Sequence, residues 1–129
     1  MARPRNFVEE EVVDSAAAAF GRLGYTGCSV DDLVEATGLQ RGSLYKVFGS
    51  KRGLFEKVLV KSLAGDWTRD PASLDLMITA LRELASVDLV IAAMCRQALA
   101  AQPDDAAQLL GTRLLAHLPS EETTCPDSK

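Results

Sequence analysis

Within the twelve residues from Gln40 to Lys51 the chain carries an amide, a guanidinium, a hydroxyl, a phenol and two ammonium groups, on Gln40, Arg41, Ser43, Tyr45, Lys46 and Lys51. Such groups suit hydrogen bonding to a polyanion. Arginine pairs with guanine and glutamine with adenine across a major groove. A phenol or an ammonium more naturally meets phosphate oxygens, which position a protein without reading sequence. Gln40, Arg41 and Ser43 are therefore assigned to base reading, and Tyr45 and Lys46 to the backbone. Gly49-Ser50 then breaks the chain before Lys51-Arg52. Two cations and free N–H groups at a helix start make a phosphate site. Gly42 fits the same picture: glycine inside a helix costs roughly 1 kcal/mol relative to alanine, and close approach of another surface gives a reason to keep it.

Two short helices are needed to present these groups. On a wheel of about 100° per residue, Leu44, Val47 and Phe48 fall on one side, so Gly42, Ser43, Tyr45 and Lys46 look outward. The preceding helix begins near Val30. Ser29 caps it, Asp32 returns the capping-box bond, and Asp31 suits the positive end of its dipole. Its inward residues are Val30, Leu33 and Val34. Thr37-Gly38-Leu39 interrupts the pattern where glycine takes a positive φ cheaply. Periodicity and turn together predict a helix-turn-helix with one small shared core.

The formal charge of −4 is unevenly spread. Residues 36–63 hold six cations against Glu56 alone, residues 64–129 hold five basic and ten acidic side chains, and residues 1–35 three and seven. Positive charge concentrates around the second helix, so DNA affinity should fall steeply with salt. With one histidine, His117, the chain offers no nucleophile–base constellation. Cys28, Cys95 and Cys125 form no CxxC pair and no metal-ligand spacing, so neither catalysis, a metal nor a cofactor is expected. An odd cysteine count suits a reduced cytoplasm. No apolar run approaches the roughly 18 residues of a membrane span, and the N-terminus lacks a signal-peptide core. Instead it carries a short basic arm, in which Arg3 and Arg5 either reach a minor groove or belong to an ordinary mobile terminus.

The ordered series Val12-Val13-Asp14-Ser15-Ala16, Phe20, Gly24-Tyr25, Ser29-Val30-Asp31-Asp32-Leu33, Thr37-Gly38-Leu39, Arg41-Gly42-Ser43-Leu44-Tyr45 and Phe48-Gly49-Ser50-Lys51 resembles the DNA-binding half of the TetR family of bacterial transcriptional repressors. The likeness covers about the first 60 residues. It implies an all-α homodimer that binds a palindromic operator and releases it when a small molecule enters the C-terminal domain. It maps DNA contacts onto Ser29, Gln40, Arg41, Gly42, Ser43, Tyr45, Lys46 and Lys51. This chain departs from the family pattern at four places. Gln40 stands where a serine or threonine cap is usual, and Lys46-Val47 replaces an aromatic and a histidine. Glu9-Glu10-Glu11 lies where arginine is frequent. Cys28 replaces a threonine and reads as a small buried side chain rather than a redox switch.

The expected organisation is a three-helix DNA-binding domain over residues 1–50, a small helical dimerisation and effector domain over 51–118, and a disordered tail over 119–129. Further helices are expected at residues 51–66, 71–86, 87–101 and 104–118, opened by Pro71 and by Pro103 or Asp104. The stripes Leu74, Met77, Ile78, Leu81, Leu84, then Val90, Ile91, Met94, Ala98, then Leu109, Leu110, Leu114, Leu115, Leu118 should be buried. Methionine-bearing stripes are ordinarily core; the functional variant is a ligand pocket lined by Trp67, Met77, Met94, Cys95 and His117. Relative to the family the chain stops early, which leaves dimerisation to a surface such as residues 104–118. The competing reading is a helical interaction protein that pairs with a full-length relative without binding DNA itself.

Overall fold

The structure, a computed structural model, describes residues 5–102 and 105–119. It is all-helical over those residues: α1 (Arg5–Leu23), α2 (Val30–Thr37), α3 (Arg41–Phe48), α4 (Lys51–Ser62), one 3-10 turn (Trp67–Arg69), α5 (Pro71–Glu83), α6 (Leu89–Ala100) and α7 (Ala106–Leu115). The basic arm's Arg3, the candidate openers Pro103 and Asp104, and the tail from residue 120 lie outside the described residues.

Local chemistry accounts for the boundaries of the first half. α1 stops where Gly24 takes φ 78°, its N–H bonded back to the Phe20 carbonyl at 2.7 Å. α2 starts in the expected capping box: the Asp32 N–H donates to Ser29 Oγ at 3.0 Å, and the Ser29 N–H donates to Asp32 Oδ2 at 2.9 Å. It ends at Gly38, left-handed at φ 77°. α3 has no side-chain cap: Gln40 occupies the cap position and its carbonyl accepts from the Leu44 N–H, but its side chain makes no cap bond. Ser50 caps α4 through the Gly53 N–H.

The later helices are shorter than their apolar periodicity suggested. α4 closes at Ser62, and Gly65 at φ 66° turns the chain into the 3-10 turn. Asp70 caps α5 with Pro71 in its first turn, as expected, and the helix ends at Glu83. The start of α6 is set by Asp88, whose carboxylate accepts from the N–H groups of Val90 and Ile91, so Val87 stays outside. α7 is confined to residues 106–115, and the chain turns at Ala116.

One apolar cluster links Phe20 of α1, Cys28, Leu33 of α2, Leu44 of α3, Leu54, Phe55 and Leu59 of α4, Trp67, Met77 of α5, and Ile91 and Cys95 of α6. At about 1.5–3 kcal/mol for each large side chain fully withdrawn from water, this cluster is the main source of stability. It crosses residue 50 without interruption. Its centre is aromatic: the ring of Phe20 lies 5.0 Å from Phe55 edge-on and 5.9 Å from Tyr25. Not every predicted apolar stripe reaches it. Leu74, Met77, Leu84, Ile91 and Cys95 are buried, whereas Leu81 and Val90 are exposed, as are Leu114, Leu115 and Leu118 at 49%, 65% and 68%. The physical reason is that α7 has one neighbouring face to pack on, chiefly α5, so half of its leucine stripe looks outward.

Candidate nucleic-acid interface

α2 and α3 meet across Gly38, with Leu33 and Leu44 1% and 3% exposed beneath the turn. Burying Leu44 commits the rest of α3 to the outside. Arg41, Gly42, Ser43, Tyr45 and Lys46 are all exposed, while Val47 and Phe48 are half-buried. A Cβ built on Gly42 meets nothing within 4 Å, so no internal contact explains the glycine. Gln40 is exposed at the head of the same ridge.

Arg41 reaches across the turn to Asp31, with Nη2 2.9 Å from Oδ1. Both partners are largely in solvent, at 55% and 85%. Exposed pairs of this kind contribute about 0–1 kcal/mol. The pair therefore costs little to break, which leaves the guanidinium free to exchange its partner. Ser29 is exposed, and its Oγ accepts the cap bond from the Asp32 N–H. The backbone N–H and hydroxyl of Ser29 beside Asp32 hold that carboxyl below its usual range.

The start of α4 differs from the sequence reading. Lys51 lies with Nζ 4.4 Å above the Tyr25 ring, a cation–π arrangement that leaves the ammonium at the molecular edge. Arg52 turns the other way. Its Nε donates to Asp88 Oδ2 at 2.6 Å, Nη2 to Asp88 Oδ1 at 3.0 Å, and Nη1 to Glu56 Oε1 at 2.6 Å. The Arg52 guanidinium is thus committed to two carboxylates of this chain, whereas the Lys51 ammonium lies over a ring. Of the acidic run on α1, Glu10 and Glu11 are exposed. Half-buried Glu9 lines a hollow of about 270 Å³ beside Ser43 and Lys46. Cys28 is fully buried, and burial, with Asp32 nearby, pushes its thiol up. This matches the expectation of a small packing side chain.

The five residues predicted to line a ligand pocket are not brought together. Trp67, Met77 and Cys95 are 2%, 0% and 2% exposed, packed into the core. The Trp67 indole N–H donates to the Ala98 carbonyl at 3.3 Å. Met94 faces a groove between α4 and α6. His117 lies exposed near α5, its Nε2 3.3 Å from Asp75 Oδ1. The apolar stripes that suggested a common cavity are instead closed against each other. A cleft of about 600 Å³ runs between α1, the end of α4 and α5, and includes Trp67 alone of the five. Among the described residues no cluster of His, Cys, Asp or Glu could hold a metal, and no helix is long and apolar enough to cross a membrane.

Sequence reasoning missed Tyr25, Glu83 and Asp88. The Asp88 cap had a visible signal, an aspartate directly before an apolar run. The pairings of Glu83 with the loop and of Asp88 with Arg52 had none, since they span 36 to 58 positions.

Residues 12–58 match the family model described as bacterial regulatory proteins, tetR family. The HTH-type transcriptional repressor BdcR of Escherichia coli (strain K12) is 40% identical over 57 residues, 44% of this chain and 29% of that protein. The HTH-type transcriptional repressor ComR of the same organism is 44% identical over 57 residues, 44% of this chain and 27% of that protein. The biofilm operon icaADBC HTH-type negative transcriptional regulator IcaR of Staphylococcus aureus (strain Newman) is 30% identical over 50 residues, 39% of this chain and 27% of that protein. The match thus spans less than a third of the length of each relative. It contains all of α2, α3 and the turn between them, whose exposed ridge has just been described. Over residues 12–58 the chain is thus similar to the tetR family of bacterial regulatory proteins.

Proposed function

We propose that the protein is a sequence-specific DNA-binding transcriptional regulator of the cytoplasm, a repressor that binds a palindromic operator as a homodimer. One observation carries the reading. Leu44 is buried while every neighbouring polar residue of α3 is exposed, so the second helix of the motif presents Arg41, Gly42, Ser43, Tyr45 and Lys46 uncovered by the described residues. A helix of that kind fits a major groove, its first residues nearest the bases. Gln40, Arg41 and Ser43 read bases; Ser29, Tyr45, Lys46 and Lys51 hold phosphates; Gly42 lets the backbones approach. Repression is supported by the similarity to the transcriptional repressors BdcR and ComR and the negative transcriptional regulator IcaR.

Two half-sites require two recognition helices roughly 34 Å apart. The exposed leucines of α7, Leu114 and Leu115 with Leu118 just beyond, support a second copy as the means of supplying them. A small-molecule effector has the cleft between α1, α4 and α5 as its available room. The same α7 leucines favour the second reading, pairing with a longer relative without DNA contact. An electrophoretic mobility shift with the DNA upstream of the protein's own gene separates the two. The regulator gives a retarded complex that weakens with salt, and the interaction protein gives none. Replacing Tyr45 and Lys51 together by alanine should abolish the shift while the thermal unfolding curve stays cooperative; a complex that survives the double change refutes the contact assignment.

A further inference from the structure

The corner between α5 and α6 reaches the two flanks of the helix-turn-helix, the α1–α2 loop and the start of α4, each through a carboxylate. Glu83, the last residue of α5, accepts from the Thr26 N–H at 2.7 Å and from the Tyr25 N–H at 3.2 Å. It thereby ties off peptide groups of the α1–α2 loop that no helix satisfies. Gly24 makes room for it: a Cβ there would lie 2.9 Å from Glu83 Oε2. Burial pushes the Glu83 carboxyl up, but the bonds from Thr26 and Tyr25, with Arg82 nearby, outweigh it and the net displacement is downward. Five residues on, Asp88 holds Arg52 in a two-pronged pair while its Oδ1 also caps α6.

Both tie points sit next to candidate phosphate contacts. Thr26 is three residues before Ser29, and Arg52 is adjacent to Lys51. Tyr25 joins them, since its N–H is on Glu83 and its ring carries the Lys51 ammonium and packs 5.2 Å from Phe55 of α4. Ser29 and Lys51 are the outlying contacts of the interface, one at the head of α2 and one at the head of α4. Their spacing has to match two phosphates for both to be made.

We propose that Glu83 and Asp88 are positioning residues for DNA binding, a two-point brace by which the α5–α6 corner sets the placement of Ser29 and Lys51 against the phosphate backbone. This rests on the DNA-binding reading above. The brace touches no DNA. It fixes the loop and the first turn of α4 from behind, so its loss misplaces the outlying contacts and leaves the α3 ridge intact.

The test is the salt dependence of binding by the full chain. The variants are E83Q, which keeps the size of the side chain but removes the charged oxygen pair, and D88N, which keeps a good N-cap but removes the ion pair. The logarithm of affinity falls with the logarithm of salt by about 0.9 per phosphate neutralised. E83Q/D88N should therefore bind with a slope shallower by about 1, since Lys51 carries the charge, and with weaker affinity at low salt. K51A should flatten the slope of the wild-type protein by the same amount and add nothing in the E83Q/D88N background. In parallel, amide exchange at Tyr25 and Thr26 should accelerate in E83Q. A merely stabilising role lowers the melting temperature of the variant but leaves the slope of its folded fraction unchanged and keeps K51A fully effective; that result overturns the brace. Wild-type protein that binds no DNA overturns the functional reading first, and the brace with it.

Discussion

At the scale of single residues, Asp88 does two jobs with one carboxylate. It opens α6 by accepting from the N–H groups of Val90 and Ile91, and it anchors Arg52 across 36 positions of sequence. The Arg52 guanidinium, then the Ile91 N–H, pull the Asp88 carboxyl from an ordinary 3.8 down to about 2. A carboxyl whose folded pKa is depressed contributes stability above its unfolded pKa and loses it as pH falls through the folded one. Asp75, held low by Arg113 and flanked by His117, acts in the same direction. The melting temperature should thus decline as pH drops from about 3.8 to about 2. D88N should melt below wild type at neutral pH and converge with it at the acid end, as followed by circular dichroism. Parallel curves at all pH values would show that the ion pair contributes nothing.

For the helix-turn-helix as an element, stability and binding make opposite demands on α3. Gly42 is a helical glycine with open space around its missing Cβ, and alanine there should raise helix stability by about 0.5–1 kcal/mol. The same methyl would stand on the face offered to DNA. Gly42→Ala is therefore expected to unfold at a higher temperature and to bind operator DNA more weakly, measured by thermal denaturation and mobility shift on one preparation. A stabilised variant that binds as well as wild type would remove Gly42 from the interface. Gln40 expresses the same tension, since it holds the cap position with φ −74° and ψ 158° but contributes no cap bond. Serine or aspartate there would cap better, at the loss of an amide suited to adenine.

Across the whole molecule, the buried cluster runs from Val12 on α1 to Cys95 on α6, through Leu44 of the recognition helix and Trp67. Such continuity couples the α3 ridge to the helices behind it. Trp67, the single tryptophan and 2% exposed, is a built-in reporter. Its emission during urea unfolding should follow far-ultraviolet circular dichroism through one shared midpoint, the mark of a two-state unit. Separate midpoints would show that the motif and the C-terminal helices unfold independently.

What could be read from the chain alone was whatever depends on neighbours a few positions apart. The Ser29–Asp32 box, the left-handed Gly38, the burial of Leu33 and Leu44 and the outward polar face of α3 all follow from local hydrogen bonding and helical periodicity, and they carried the family likeness and the interface. Periodicity also marked helices in the second half, but not their ends, because Asp88 and Gly65 punctuate them more sharply than an apolar pattern shows. Distant pairing was another matter. Whether Arg52 faces phosphate or Asp88, whether Glu83 meets solvent or the loop at Tyr25, and whether Trp67, Met77, Met94, Cys95 and His117 enclose a pocket or scatter between core and surface depend on which helices pack together. Side-chain spacing within one helix holds no record of its neighbours, so the tertiary structure alone decided these points.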